Sequence, residues 1–503
     1  MSQSPIISFP EHLRRLAVHY ASKVAAQDDL GSLTYGELGE AMEAVAAALV
    51  AAGVKKGDRV ATAMQPSLAH MVVILGCLAR GAIPCPLNTR LTASEFAAYL
   101  EPIAPALIIA DADNAPAVRG LATPMIELAA ANRAGGLSAR LVEVWAAKGP
   151  VELIAPEDIA LIMPTGGTTG TPKGAYYTHG ALCLFLGACA WNEGRLTRDT
   201  ELYFSPFFHV SIVTGWMCTL YVGGSVQLIG AFSAPASLKA IAGGATFLMG
   251  AATMFQTLRQ HPDFASTDRS KIRFLSVGAM AATPELIDTL LADFPNAQLR
   301  HGYGATEYGP VTYIPHEALI AGRRSGVGLV QLGCKFTVVD EALQPLPVGE
   351  IGELVVDCSW RASGYWGRPA ETAETFTALG VRLGDLGFLD AGGWVTIAGR
   401  RKEMIISGGE NIFPNEVEAV LSKHPAVREI CVYGAKDDHW GERVEAAVVV
   451  ALGADLSLEQ LVAFGREHLG GYKLPKRLRV LETLPLTPNN KPDRRRLTAE
   501  AQA

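Results

Sequence analysis

The feature that most constrains this chain is an alternation of helical and strand patterns that persists over several hundred residues. Pro10–Ala26 reads as an amphipathic helix. Thr34–Ala52 reads as a second, opening at a Thr N-cap and stopping before Gly53. Arg59–Met64 reads as a short strand, Ser67–Arg80 as a helix ending at Gly81, and Ile83–Leu87 as the next strand. Apolar runs at 158–163, 201–204, 225–229, 246–249 and 274–277 continue the pattern, with helical stretches between most of them. Strands that alternate with helices are the mark of a layered α/β architecture with mainly parallel strands.

From about Gly326 the texture changes. Short strands punctuated by glycine follow at 336–340, 352–356 and 394–397, which suggests a β-rich subdomain of hairpin or barrel kind. After Arg400–Lys402 a last hundred residues carry their own alternation: helix 416–423, strands 429–433 and 444–451, helix 458–468. A length of 503 residues is too great for one core. The expected fold is therefore α/β. Residues 1–401 form a large N-terminal domain of layered α/β subdomains plus a β-rich subdomain. Residues 402–503 form a small mobile α+β C-terminal domain.

Composition narrows the function classes. Half the residues are hydrophobic (49%), 18% are charged, and the net charge is −7. That excludes a disordered chain and argues against non-specific binding to nucleic acid or an anionic membrane. The eight cysteines form no Cys-x-x-Cys pair, which argues against zinc or a redox dithiol and for a reducing compartment. The N-terminus lacks the basic and apolar regions of a signal peptide, and the apolar run 181–191 is too short to cross a bilayer. A cytoplasmic protein without a transmembrane segment is expected, and a homodimer is left open.

The chemistry enters at Thr165-Gly-Gly-Thr-Thr-Gly-Thr-Pro-Lys-Gly174, directly after an apolar strand. Glycines let backbone N–H groups turn toward an anion, threonine hydroxyls add donors, and Lys173 adds charge. These are the parts a polyphosphate needs. The loop is not a Walker A motif, because Pro172 precedes the lysine where that motif has glycine.

This run resembles the signature T-S-G-T-T-G-x-P-K-G of adenylate-forming enzymes, which include acyl-CoA synthetases, luciferases and peptide-synthetase adenylation domains. Gly166 stands where serine is usual. The resemblance continues in order along nearly the whole chain, and it implies roles that the residue types suit. Thr165, Gly166, Gly167, Thr168, Thr169, Gly170 and Lys173 would hold the β- and γ-phosphates of ATP. His301-Gly-Tyr-Gly-Ala-Thr-Glu307 resembles the Y-G-x-T-E motif. There Gly302, Tyr303, Gly304 and Ala305 would border adenine, with Tyr303 stacking on it. Thr306 would meet the α-phosphate, and Glu307 with Thr168 would complete the Mg²⁺ site, a hard cation suited to oxygen ligands. Gly278 and Ala279, in Ser276-Val-Gly-Ala-Met280, resemble the glycine-rich strand end beside adenine and the acyl group.

Asp385, in Arg382-Leu-Gly-Asp, matches the station that accepts both ribose hydroxyls, and Arg400 would contact the ribose too. The segment 399–414 resembles the hinge region, with Lys402 at the hinge and Gly408 and Gly409 beside the tunnel for the pantetheine arm of CoA. At the C-terminus Lys491, Arg494 and Leu497 keep the spacing of T-x-x-G-K-x-x-R-x-x-L, with Asn490 in place of glycine. Lys491 would contact the carboxylate and the α-phosphate. His209, in Ser205-Pro-Phe-Phe-His-Val, resembles the station that gates the thiol's approach.

The resemblance implies an AMP-forming acyl-CoA ligase using ATP, Mg²⁺ and CoA. A carboxylate attacks the α-phosphorus of ATP, pyrophosphate leaves, and after domain rotation a thiol displaces AMP. Acyl-pocket candidates are His209, Val213, Ala251, Met254, Ala279, Gly302 and Tyr308. They are mostly small or apolar, and no Asp stands ready for an ammonium, so a fatty, alicyclic or aryl acid is favoured over an amino acid. Two other classes stay in view: an adenylating enzyme that loads a carrier protein, and a non-enzymatic nucleotide or acyl-adenylate sensor. The 408–411 segment (GGEN) and the lack of any carrier or condensation domain favour CoA. Glu307 and Lys491 weigh against a sensor.

Overall fold

The computed structural model describes residues 8–128, 153–165, 172–278, 282–324, 326–487 and 492–502. The chain divides into two compact units. One comprises 1–335 and 356–381; the other comprises 336–355 and 382–503.

In the first unit the expected helix starts and stops are set by caps. Thr34 accepts from the Glu37 N–H and Glu37 bonds back to the Thr34 N–H, a capping box that opens helix Tyr35–Ala51. Ser67 caps Leu68–Arg80, which ends at Gly81 with φ +73°. The first helix is shorter than its pattern. It spans Phe9–His19, and Val24–Gln27 is instead a strand pairing in parallel with Ser225–Leu228. Strand pairing on both sides, with Ser225–Leu228 and with Ser32–Thr34, overrides the local helical pattern there.

Parallel strands dominate as expected. Ile83–Pro86, Arg59–Ala63, Leu107–Asp111 and Met125–Leu128 form a four-stranded parallel sheet in that order. Its core includes Ile83, Phe96, Ile108 and Ile162. A second sheet sets Ser225–Leu228, Thr200–Tyr203, Phe247–Ala251, Phe274–Gly278 and Gln298–Ala305 side by side and parallel. It turns antiparallel at the hairpin to Gly309–Ile314. Ile159–Pro164 and Gly174–Thr178 form a separate hairpin, to which Gly364–Tyr365 adds a third strand.

The antiparallel pair Gly380–Leu389 and Trp394–Arg400, which lies in the second unit from Arg382 on, carries the expected β texture. The unit's other sheet runs Glu410–Ile412, Ile405–Ser407, Gly441–Val450, Val427–Asp437, with Arg477–Val480 parallel to Gly441–Val450. Helices Pro414–Leu421 and Leu458–Arg466 cover a core of Ile405, Val417, Val432, Val448 and Leu461. All eight cysteines are free thiols, seven buried and Cys334 partly exposed. Among the described residues, no helix is long and apolar enough to cross a membrane.

Candidate active site

In an open parallel sheet, ligands bind in the crevice beyond the carboxyl ends of the strands. Several residues singled out from sequence sit at or just beyond such ends in the first unit. His209 follows Thr200–Tyr203, in a turn where its Nδ1 accepts from the Ser211 N–H at 3.2 Å. Val213 is buried and starts a π-type turn, Val213–Met217, a departure from α geometry that recurs at functional sites. Ala251 ends Phe247–Ala251, and Met254 lies in the first turn of the helix after it. Gly278 ends Phe274–Gly278 and pairs with Ala251. Gly302, Tyr303, Gly304 and Ala305 close Gln298–Ala305, and Thr306, Glu307 and Tyr308 form the turn that follows. Ala279 lies outside the described residues.

That turn is held from four directions. The Tyr177 hydroxyl donates to the Thr306 carbonyl. The Ala362 N–H donates to the Glu307 carbonyl at 2.8 Å, and the Trp360 indole N–H donates to the Tyr308 carbonyl at 2.9 Å. The Tyr365 hydroxyl donates to Glu307 Oε1 at 2.7 Å. Glu307 is buried, so its carboxylate is costly without such partners. Burial first, and the Glu307 carboxylate second, push the Tyr177 phenol well above its ordinary pKa, which keeps it a donor. Tyr303 and Tyr308 join hydroxyl to hydroxyl at 2.7 Å. His301 is buried against the Val277 carbonyl, 3.1 Å from Nδ1, and burial lowers its pKa toward the neutral imidazole.

The phosphate-loop candidate joins the same neighbourhood through its stems. Pro164 pairs with Gly174, and the Thr165 N–H donates to the Lys173 carbonyl at 2.8 Å. The Lys173 ammonium stands 4.7 Å from the centre of the Tyr365 ring. Gly166, Gly167, Thr168, Thr169 and Gly170 lie outside the described residues. Trp360 and Tyr365 were not singled out from sequence. Their only signal was a cluster of aromatics, Trp360, Tyr365 and Trp366, in a stretch read merely as β-rich.

The second unit brings together two of its own candidates. Asp385 and Arg400 face each other across Gly380–Leu389 and Trp394–Arg400, and Arg400 Nε donates to Asp385 Oδ1 at 3.0 Å. Asp385 is buried. Lys402 is exposed in a single 3₁₀ turn, Arg401–Glu403. Gly408 and Gly409, with φ +62° and +86°, make the two-residue turn between Ile405–Ser407 and Glu410–Ile412. Such a hairpin needs positive φ at both central positions, which explains the paired glycines. Arg494 is anchored by Glu418 at 2.7 Å, Glu403 at 3.1 Å and the Val432 carbonyl at 3.1 Å, and Leu497 is buried. Lys491 lies outside the described residues, while the residues beside it are tied: Leu486 bridges to Pro492, and the Asp493 N–H donates to the Pro485 carbonyl at 2.8 Å.

Comparison with known proteins agrees over both units. A family model described as AMP-binding enzyme matches residues 13–366, and one described as AMP-binding enzyme C-terminal domain matches 416–491. A feruloyl-CoA synthase of Amycolatopsis sp is 34% identical over 494 residues, covering 96% of each chain. A long-chain-fatty-acid–CoA ligase of Mycobacterium tuberculosis is 32% identical, covering 91% of each. The solved o-succinylbenzoate CoA synthetase of Bacillus subtilis, in complex with its acyl-adenylate intermediate, superposes with TM-score 0.88 at 27% identity, covering 99% of this chain and 98% of that one.

Proposed function

Since the chain belongs to the AMP-binding enzyme family and is an acid–thiol ligase of the acyl-CoA synthetase kind, we propose that it activates an aryl or fatty acid with ATP and passes the acyl group to CoA. The observation that carries this reading is the meeting of the Lys173 stem and the Glu307 turn at one tyrosine, Tyr365, beyond the ends of the parallel strands.

In the first half-reaction the substrate carboxylate attacks the α-phosphorus of ATP and the bond to pyrophosphate breaks. The protein's work is to position groups and to neutralise charge as it spreads over phosphate oxygens. Lys173 and the Thr165–Gly170 loop hold the β- and γ-phosphates, Thr306 meets the α-phosphate, and Tyr303 lies against adenine. Asp385 and Arg400 take the ribose. Lys491 meets the carboxylate and α-phosphate. The described residues contain no cluster of three metal-binding side chains. They do offer the buried, oriented carboxylate of Glu307, which suits Mg²⁺, a cation held by one or two carboxylates together with substrate phosphates. Glu307 and Thr168 are the residues that would hold it, and bound there it would offset phosphate charge.

In the second half-reaction the CoA thiol attacks the acyl carbonyl and AMP leaves. We place the hinge at Lys402, dividing 1–401 from 402–503, so that rotation exchanges Lys491 for the Gly408–Gly409 turn and His209 gates the thiol. The described acyl-pocket candidates include buried Val213 and Tyr308 and no carboxylate, which supports an acid without an amino group. Eight free cysteines, mostly buried, support a cytoplasmic setting.

A panel of aryl, fatty and amino acids, assayed for pyrophosphate release and thioester formation, tests this reading. Aryl or fatty acids should release pyrophosphate and yield a CoA thioester. Preference for amino acids would overturn the substrate class. Pyrophosphate release without any CoA thioester would point to a carrier protein, and ATP binding without release to a sensor.

A further inference from the structure

We propose that Tyr365 is a positioning residue that sets the phosphate-loop lysine and the metal-holding carboxylate from a single side chain, a role that rests on the assignments of Lys173 and Glu307 above. Its hydroxyl donates to Glu307 Oε1 at 2.7 Å, and its ring centre lies 4.7 Å from Lys173 Nζ. The two ends of one ring thus address two groups of opposite charge. The hydroxyl makes a charge-assisted hydrogen bond that fixes the rotation of the carboxylate. The ring face attracts the ammonium and favours one reach of a flexible side chain.

The tyrosine is itself firmly placed. It is buried, and its backbone pairs with Ala175, two residues beyond Lys173. Its N–H donates to Thr372 Oγ1 at 2.9 Å, and Phe376 packs edge-on against the ring at 5.3 Å. The neighbouring Trp366 N–H donates to the Gly174 carbonyl at 2.8 Å, tying the same strand to the base of the phosphate loop. Movement of the loop stem is therefore felt at Glu307 through one rigid ring. With Mg·ATP bound, the structure assigns to Tyr365 the spacing between the lysine's phosphate contact and the carboxylate's metal contact.

The two ends can be removed separately. Tyr365→Phe deletes the hydroxyl and keeps the ring face; Tyr365→Leu deletes both. Calorimetry on the full chain measures ATP affinity with Mg²⁺ and with EDTA, and the ratio is the metal-dependent gain. Tyr365→Phe should cut that gain about tenfold and leave metal-free ATP binding within about twofold. Tyr365→Leu should also weaken metal-free ATP binding, by about threefold or more. Glu307→Gln supplies the reference. If it keeps the metal-dependent gain, the assignment of Glu307 is wrong. If it loses the gain while Tyr365→Phe keeps it, Tyr365 has no positioning role. The double variant Glu307→Gln/Tyr365→Phe should lose no more of the gain than Glu307→Gln alone; additive losses would show that Tyr365 acts by supporting the fold. Thermal melts of each variant run alongside. A Tyr365→Phe protein that melts early yet keeps the full gain would likewise overturn the proposal.

Discussion

At the scale of single residues, the proposed function divides the labour between two lysines. Lys173 faces Tyr365 at the stem of the 165–174 segment, and Lys491 precedes Pro492, which is bridged to Leu486. Changing Lys491 to Ala should lower adenylate formation by about a thousandfold, the scale of losing a main source of transition-state charge stabilisation. Thioester formation from supplied acyl-adenylate should stay within about threefold, because the proposed second half-reaction does not use this lysine. Pyrophosphate release and acyl-adenylate turnover, measured separately, decide it; equal losses in both would refute the division. The resemblance singled out Glu307, Asp385 and Arg400 in the sequence, and residue type agreed with it, since carboxylates suit Mg²⁺ and ribose hydroxyls. Tyr365 was not legible. It serves Glu307 from 58 residues away, and only the addition of Gly364–Tyr365 to the edge of a hairpin brings the two together.

At the scale of elements, the hairpin joining Gln298–Ala305 to Gly309–Ile314 sets the position of the Glu307 turn. A Cβ at Gly302 would lie 1.9 Å from the Thr312 carbonyl oxygen, so the two strands approach too closely for any side chain there. Gly302→Ala should cost about 3 kcal/mol or more of stability, as overpacking against backbone does. Among the described residues nothing lies within 4 Å of the Gly278 Cβ position, and Gly278→Ala should fold with nearly wild-type stability. Urea melts of the pair check this, and equal stabilities would refute it. Helix ends were readable because caps are local: Thr34, Ser67 and Gly81 each mark their terminus. The strand Val24–Gln27 was not, because one of its two partners, Ser225–Leu228, lies some two hundred residues on, and the other, Ser32–Thr34, is only three residues long. Gly302 was singled out as a pocket residue, and its close approach to Thr312 could be seen only in the folded hairpin.

At the scale of the whole molecule, stability should depend on pH through buried histidines. Burial pulls His70 down to about 3 and His179 down to about 4. The folded protein therefore leaves both neutral where the unfolded chain, with an ordinary value near 6.5, binds protons. Their contribution is complete above about pH 6.5 and shrinks as pH falls toward the folded values, by about 1.4 kcal/mol per pH unit for each. Denaturant melts between pH 7.5 and 5.5 should show this slope, and His70→Gln with His179→Gln should flatten it; an unchanged slope would refute the origin. The α/β class could be read from alternation, and the order of the motifs from the family resemblance. The joining of residues 336–355 to a compact unit otherwise formed by 382–503 could not be read, because that association leaves no local trace.

The tie that joins 485–486 to 492–493 has a consequence for entropy. Leu486 is bridged to Pro492, and the Asp493 N–H donates to the Pro485 carbonyl. Fixing the backbone of one residue costs about 1–2 kcal/mol of conformational entropy. For these four residues that cost is met when the chain folds, so no part of it falls on a later binding step.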